Sequence, residues 1–279
     1  MKRQRSRFRS FVIDAAMRVA PGITERFLIA RSRRHNERVQ RNLGMHRLYD
    51  RVSTAHGSAV LAGPFKGMLY TGKAAGSLAV PKLVGSYEME LNTIIESAIG
   101  RRPSMIIDIG VAEGYYAIGF ARRLAEAAVH GFDTDPVARS KCLAMARLNG
   151  VEERVRIHGS CDPASLHDLL TPGSLVICDC EGYEFELLDP SKVPALLCSD
   201  AIVEMHEHTR PGLTTAIVER FRSTHRVQLI SSQSRQATDF PCLDFLKPAD
   251  QARALDEMRV YPQQWAYLTA ERPAPRPGQ

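Results

Sequence analysis

Apolar and polar positions follow one pattern before about residue 104 and another after it. Downstream, seven short apolar-rich runs recur: "MIIDI" (105–109), "AVHGFD" (128–133), "RVRIHG" (154–159), "SLVICD" (174–179), "AIVEMH" (201–206), "RVQLIS" (226–231) and "QWAYLT" (264–269). Each has the length of a strand, and helical stretches separate the first six. The second of these helices has clear ends: Asp135 can cap it, Pro136 suits its first turn, and Asn149-Gly150 closes it. Strands and helices alternating in this way predict βαβ units, right-handed crossovers and a mostly parallel α/β sheet. Ligands of such sheets bind outside the carboxyl ends of the strands, beside the switch point in strand order.

Upstream, "LAGPFKGMLY" predicts a short strand or hairpin. Leu91, Ile94, Ile95 and Ala98 recur at i, i+3, i+4 and i+7 and predict a helix stopped by Gly100. Residues 1–60 are polar and basic, helical in pieces, with a break at Pro21-Gly22. The tail, 271–279, is proline-rich and expected to be disordered. The chain therefore divides into a basic helical N-terminal extension (1–60), one α/β domain (61–270) and the tail.

Charge sharpens that division. Residues 1–41 hold twelve Lys or Arg and three acids, a net +9. The whole chain is +6, so the remainder is near −3, and the basic character belongs to the arm. The arm reads as a solvated extension. The alternatives are a basic arm lying on an anionic membrane surface and an Arg-rich transit peptide. It carries no RNA-binding module, and no nucleic-acid partner is expected. No apolar run approaches the ~18 residues of a spanning helix. The six cysteines, Cys142, Cys161, Cys178, Cys180, Cys198 and Cys242, form no CxxC pair and several sit in apolar runs. A reduced compartment, the cytoplasm, fits them better than disulfides or zinc.

The candidate chemistry begins in the loop after the first strand, Asp108-Ile-Gly110-Val-Ala112-Glu113-Gly114. A dinucleotide loop would read GxGxxG and cradle a pyrophosphate. Here the two glycines stand four apart and an acid precedes them. That carboxylate would repel a diphosphate but attract a ligand with an ammonium and a sulfonium. S-adenosylmethionine (SAM) has both cations and no phosphate. Asp133 ends the second strand 23 residues after Gly110, an offset at which a carboxylate can accept from both ribose hydroxyls. The third strand ends in "HGSCDP", where Ser160, Cys161 or Asp162 would meet an adenine edge. The plainer alternative makes Asp162 a helix cap before Pro163.

These features together resemble a class I SAM-dependent methyltransferase, and more narrowly the FkbM-like methyltransferases, which act on hydroxyls of sugars, glycolipids and polyketides. "DIGVAEGYYA" is similar to that family's first motif. "CDCEGYEFELL" (178–188) is similar to its DxEGxE motif, and "YEMEL" (87–91) to a segment before the core. The resemblance covers roughly residues 85–210. It departs at Ala112, where many such enzymes carry Gly or Asn. Asp179 lies in "CDCEG", not in an NPPY-type motif, which argues against methylation of amino nitrogens.

The resemblance implies a Rossmann-like seven-stranded sheet ordered 3-2-1-4-5-7-6, with the last strand antiparallel and helices on both faces. It also implies SAM held by Asp108, Gly110, Ala112, Gly114, Tyr115, Asp133, Ser160, Cys161, Asp162 and Asp179. That order would bring Asp179 and Glu181 to Glu204 and His206. His206 is then the expected general base, organised by the three acids. In a rival reading, Asp179, Glu181 and Glu204 ligate Mg²⁺. Glu184 reads as a surface acid on the next helix. The expected acceptor is a small molecule or glycan. A nicotinamide-dependent oxidoreductase and a non-catalytic SAM-binding scaffold are the competing functions.

Overall fold

The computed structural model describes residues 21–271, so the "MKRQRSRFR" stretch and the proline-rich tail lie outside the described residues. The chain forms two compact units that divide between His46 and Arg47. The first holds helix α1, Pro21–Asn42, whose opening proline takes a position with no intrahelical amide to satisfy. Among the described residues no helix is long and apolar enough to cross a membrane.

The second unit starts inside the segment that the sequence assigns to the extension. Most of α2, Met45–His56, belongs to it. Leu48 and Val52, one turn apart, are fully buried. The Tyr49 hydroxyl donates to the Tyr70 carbonyl at 3.0 Å. A hairpin follows: Ala59 pairs with Leu69, and Val60 N–H donates to the Met68 carbonyl at 2.8 Å. Next come α3, Ala79–Val84, and α4, Asn92–Gly100. The α4 periodicity buries Leu91, Ile94, Ile95 and Ala98 as expected, although Gly100 lies within the helix and Arg101 caps it.

The remainder alternates. It runs β1 Met105–Ile109, α5 Tyr115–Arg123, β2 Ala128–Phe132, α6 Pro136–Leu148, β3 Val155–His158, α7 Pro163–Leu169 and β4 Leu175–Cys178. It continues with the single turn α8 Glu184–Leu187, β5 Asp200–Glu204, α9 Leu213–Phe221, β6 His225–Ser231, α10 Pro248–Leu255 and β7 Gln264–Ala270. The seven strands form one sheet ordered β3-β2-β1-β4-β5-β7-β6. β1 to β5 pair in parallel, and β7 runs antiparallel between β5 and β6. This is the Rossmann-like methyltransferase order that the resemblance implies.

Period-two alternation divides the sheet's side chains between two layers. Ile107, Ile109, Val176, Cys178, Ala201 and Val203 pack in one core with Leu166 of α7, Leu187 of α8 and Leu213, Ile217 and Phe221 of α9. The intervening residues, Ile106, Asp108, Leu175, Ile177 and Ile202, point to the opposite face. Central strands are covered on both sides, so β4 and β5 are buried throughout, while the edge strand β6 is half exposed.

Register sets the site. Ile109 lies opposite both Phe132 and Cys178, and Cys178 lies opposite Val203. The strands therefore finish level. The residues that follow them, Gly110, Asp133, Asp179 and Glu204, emerge along one edge of the sheet.

Because Leu48 is 2% exposed, Leu48→Ala should lower unfolding stability by about 2–5 kcal/mol. Urea denaturation of the full chain measures this. A loss below about 0.5 kcal/mol would mark α2 as a solvated extension after all.

Candidate active site

The helix after β1 lacks a side-chain cap, because its N-cap is Gly114. Its first amides need an acceptor from elsewhere. Asp108 supplies one: its Oδ2 accepts from Ala117 N–H, the third residue of α5, at 3.0 Å. That is what the acid two residues before the first glycine does for the fold. The carboxyl is only 3% exposed. Burial pushes it up to about 7, against the lowering effect of the Ala117 N–H. An acid raised in this way costs the fold stability as pH climbs from the ordinary carboxylate range to about 7. A cation beside it would relieve that cost.

The loop glycines serve close packing. Gly110 (φ 90°) lies so near β4's exit that a Cβ would stand 1.8 Å from the Asp179 carbonyl oxygen. A Cβ on Gly114 (φ 94°) would meet Cys142 Sγ at 2.7 Å. Ala112 also has positive φ, 50°, a conformation disfavoured by about 1–2 kcal/mol for a residue with a Cβ. Asp133 holds it there: Oδ2 accepts from Ala112 N–H at 2.9 Å and Oδ1 from Asp135 N–H at 2.7 Å. A carboxylate has about four acceptor positions, so each oxygen of Asp133 keeps one free.

At the end of β3, Asp162 accepts from Ser165 N–H at 2.8 Å and caps α7. Ser160 is exposed, and Cys161 faces the core beneath it. Tyr115 is buried among the rings of Phe65, Tyr70, Tyr87 and Tyr116, with centroids 5.5–6.5 Å away.

Sequence reasoning missed the pair beneath the loop. Glu113 is 0% exposed and Lys82 is 3% exposed, and Lys82 Nζ reaches Glu113 Oε1 at 2.5 Å. Glu113 also accepts from Tyr70 Oη at 2.7 Å and Ala75 N–H at 2.8 Å. Burial alone would raise Glu113, but Lys82 and these donors more than offset it and leave the carboxyl below its ordinary value. A lone lysine inside the apolar run "AVPKLV" was the available signal.

At the other end of the site, the Asp179 amide donates to the Ile109 carbonyl at 2.9 Å. Glu181 takes a left-handed turn, φ 59°, and Gly182 follows at φ 106°. The reversal sends Glu184 inward, fully buried, instead of to the surface as expected. Glu184 Oε1 lies 2.7 Å from His206 Nδ1. His206 Nε2 faces Asp179 Oδ1 at 3.5 Å and Glu181 Oε2 at 3.6 Å. Burial opposes the charged imidazolium, but Glu184, with Glu204 and Glu181 behind it, raises His206 above its ordinary value. The packed surroundings of Asp179, and then the carboxylates around it, push its carboxyl up, although the side chain is still 44% open to water.

Glu204 is engaged elsewhere. It accepts from Gln263 Nε2 and from Arg259 Nη1, the latter at 3.0 Å. Arg259 also binds Glu88, which accepts from the Tyr116 hydroxyl, and Glu257 at 2.8 Å. The structure thus gathers Asp179, Glu181 and His206, whose ligand-type atoms all lie within 4.8 Å of one another, and leaves Glu204 out of that group. A cavity of about 740 Å³ lies beyond, lined by Arg235, Gln251, Arg259 and Tyr261 among others. Tyr261 stacks on His208 at 5.2 Å.

No protein-family model matches the chain, and no curated protein matches it. Solved structures do. The O-methyltransferase TomG from Streptomyces achromogenes is 16% identical over 64% of this chain and 78% of its own, with a TM-score of 0.42. The precorrin-6y C5,15-methyltransferase from Geobacter metallireducens is 11% identical over 64% and 88%, at 0.43. The ribosomal protein L11 methylase from Lactobacillus delbrueckii subsp. bulgaricus is 14% identical over 71% and 82%, at 0.42. Likeness of this degree adds nothing to what the sheet order establishes.

Lys82→Met strands a buried carboxylate and should cost about 3–5 kcal/mol at neutral pH. In that variant only the Tyr70 and Ala75 donors oppose burial at Glu113, so its pKa is expected to rise above the unfolded value. The penalty is then present at neutral pH and fades as pH falls toward the ordinary carboxylate range. Denaturation at pH 7 and pH 5 should show the variant recovering against wild type. Equal deficits at both would mean Glu113 is not the orphaned charge.

Proposed function

We propose that this protein is a SAM-dependent methyltransferase acting on a hydroxyl oxygen. The observation that carries the reading is the pair of acids at the ends of β1 and β2. Asp108 is buried with its carboxyl raised to about 7, and Asp133 keeps a free acceptor position on each oxygen. Such a cradle suits a cationic nucleoside without phosphates and repels a dinucleotide's pyrophosphate, which disfavours the oxidoreductase alternative. The donor set fits SAM in kind: Asp133 for the ribose hydroxyls, Asp108 for the positive end, and Ser160 with the start of α7 for the base. SAM, when bound, supplies a sulfonium methyl open to in-line displacement.

The chain's own residues supply the acceptor's setting. Gly110 against Asp179 fixes the spacing between the cofactor loop and the end of β4. The Asp179–Glu181–His206 group lies at that end, where an acceptor hydroxyl would lose its proton, and Glu184 fixes the imidazole ring. A carboxylate-rich group of this kind suits oxygen activation, since an alcohol is a weak nucleophile until its proton is leaving. The cavity beside Tyr261, lined by Arg259 but not by Asp179, Glu181 or His206, offers room for the outer part of a sugar or polyketide-type acceptor. The reading places the protein in the cytoplasm and requires no nucleic acid. The basic arm remains a candidate for contact with an anionic membrane surface.

Asp133→Ala should weaken SAM binding at least about tenfold, the loss of charge-assisted hydrogen bonds of about 1.5–3 kcal/mol. Calorimetry on protein with an unchanged melting profile measures this. Unchanged affinity would misplace the site. Turnover of methyl-labelled SAM over a panel of hydroxylated glycans and lipids tests the reaction. SAM binding without transfer to any acceptor would favour the scaffold alternative.

A further inference from the structure

His206 is 3% exposed, yet its Nε2 makes no hydrogen bond. The nearest acceptors are Asp179 Oδ1 at 3.5 Å and Glu181 Oε2 at 3.6 Å, both beyond an ordinary N–H···O contact. Nδ1 is taken by Glu184 at 2.7 Å. A ring that donates from Nδ1 presents a bare lone pair at Nε2, so three lone-pair-bearing atoms then face one another around a common centre. Like-charged oxygens gathered in this way repel unless something positive lies between them.

We propose that Asp179, Glu181 and His206 bind one divalent cation, and that the site prefers Mn²⁺ to Mg²⁺. Two ligand atoms each about 2.1 Å from one ion and about 3.5 Å apart subtend about 110° at it, an ordinary coordination angle. Glu184 is the outer partner that a ligating imidazole needs, because it fixes the tautomer and aims Nε2 at the ion. Glu184 is itself fixed by Cys180 N–H, which donates to the same oxygen at 3.0 Å. The ligand set differs from the three acids that the sequence pointed to, since Arg259 and Gln263 hold Glu204. Replacing a carboxylate by an imidazole changes the metal as well. Mg²⁺ favours oxygen donors and keeps its waters, whereas Mn²⁺ binds more strongly to a mixed N,O set. Glu181 is the exposed wall of the site, its side chain 80% open, so coordination positions face the solvent. His206 then serves as a ligand, not as a free base. The cation's use in activating an acceptor hydroxyl rests on the methyl-transfer reading, but its binding does not.

The test is titration of the full chain with MnCl₂, followed by electron paramagnetic resonance, with spin-echo modulation to detect a coordinated nitrogen. A single bound Mn²⁺ with imidazole-nitrogen modulation is expected. His206→Ala should lose the modulation and at least about tenfold in affinity, and Asp179→Asn should lose a similar factor. Glu204→Gln should keep the nitrogen modulation and lose less affinity than His206→Ala or Asp179→Asn, because Glu204 attracts a cation only from outside the ligand set. Excess Mg²⁺ should displace the Mn²⁺ only at much higher concentration. Melting curves identify any variant that fails to fold, and Asp179→Asn then stands in for His206→Ala. Absence of bound Mn²⁺, or binding without nitrogen modulation that survives His206→Ala, would overturn the site and leave His206 an imidazolium between carboxylates. SAM calorimetry in EDTA separates the two readings. SAM binding without Mn²⁺ binding defeats the cation alone, and Mn²⁺ binding without SAM binding upholds the cation while defeating the methyl-transfer reading.

Discussion

Gly110 and the Asp179 carbonyl meet with no room for a single methyl group between them. This contact joins the loop after β1 to the exit of β4, and the rest of the site is arranged around it. The Asp179 amide is tied to Ile109, so the backbone at the end of β4 is held at the same point from two sides. Neither end of the site can shift without the other. A reaction that needs a donor and an acceptor in line within a few tenths of an ångström benefits from a spacing set by backbone.

Around that contact the protein gathers acids and compensates for them unevenly. Glu113 has a dedicated buried lysine, and Glu88, Glu90, Glu204 and Glu257 share Arg235 and Arg259. Buried groups paired in this way are costly to separate, which makes the walls of the site rigid. Asp108 has only an amide, Asp179 and Glu181 have only His206, and Glu184 has His206 with the Cys180 amide. The uncompensated acids thus lie where ligands are proposed to arrive, and the compensated ones lie where the scaffold must hold still. A buried carboxyl raised as Asp108 is occurs more often at functional sites than at structural ones.

Much of this was legible in the sequence. All seven strands fall within a residue or two of the apolar runs, because buried strands must be apolar and their ends must turn. The helix cap at Asp135 is equally plain, whereas Asp162 reads as either an adenine contact or a cap, and it caps α7. Glu184 was misread because a helix of one turn has no period to reveal its inner face, and the left-handed turn at Glu181 that directs it inward leaves little mark in composition. Glu204 stands two residues from His206 on one strand and so looked like its partner. Arg259 claims it from 55 residues away, a contact that no local pattern encodes. Leu48 and Val52 have helical spacing, but Arg47, Asp50 and Arg51 around them gave the stretch the look of a solvated arm.

The strand order also governs when the molecule can exist during its own synthesis. Among the described strands β7 is the last made, yet it lies between β5 and β6, and β6 pairs with no other of them. Until β7 leaves the ribosome, β5 keeps an edge of unpaired backbone groups and, among the described strands, β6 has nothing to pair with. Glu204 meanwhile lacks both of its partners, which come from the segment just before β7. Between the synthesis of β5 and that of β7 the growing chain is therefore an incomplete sheet with an adhesive border. That border is open to pairing with another chain, whatever chemistry the finished protein performs.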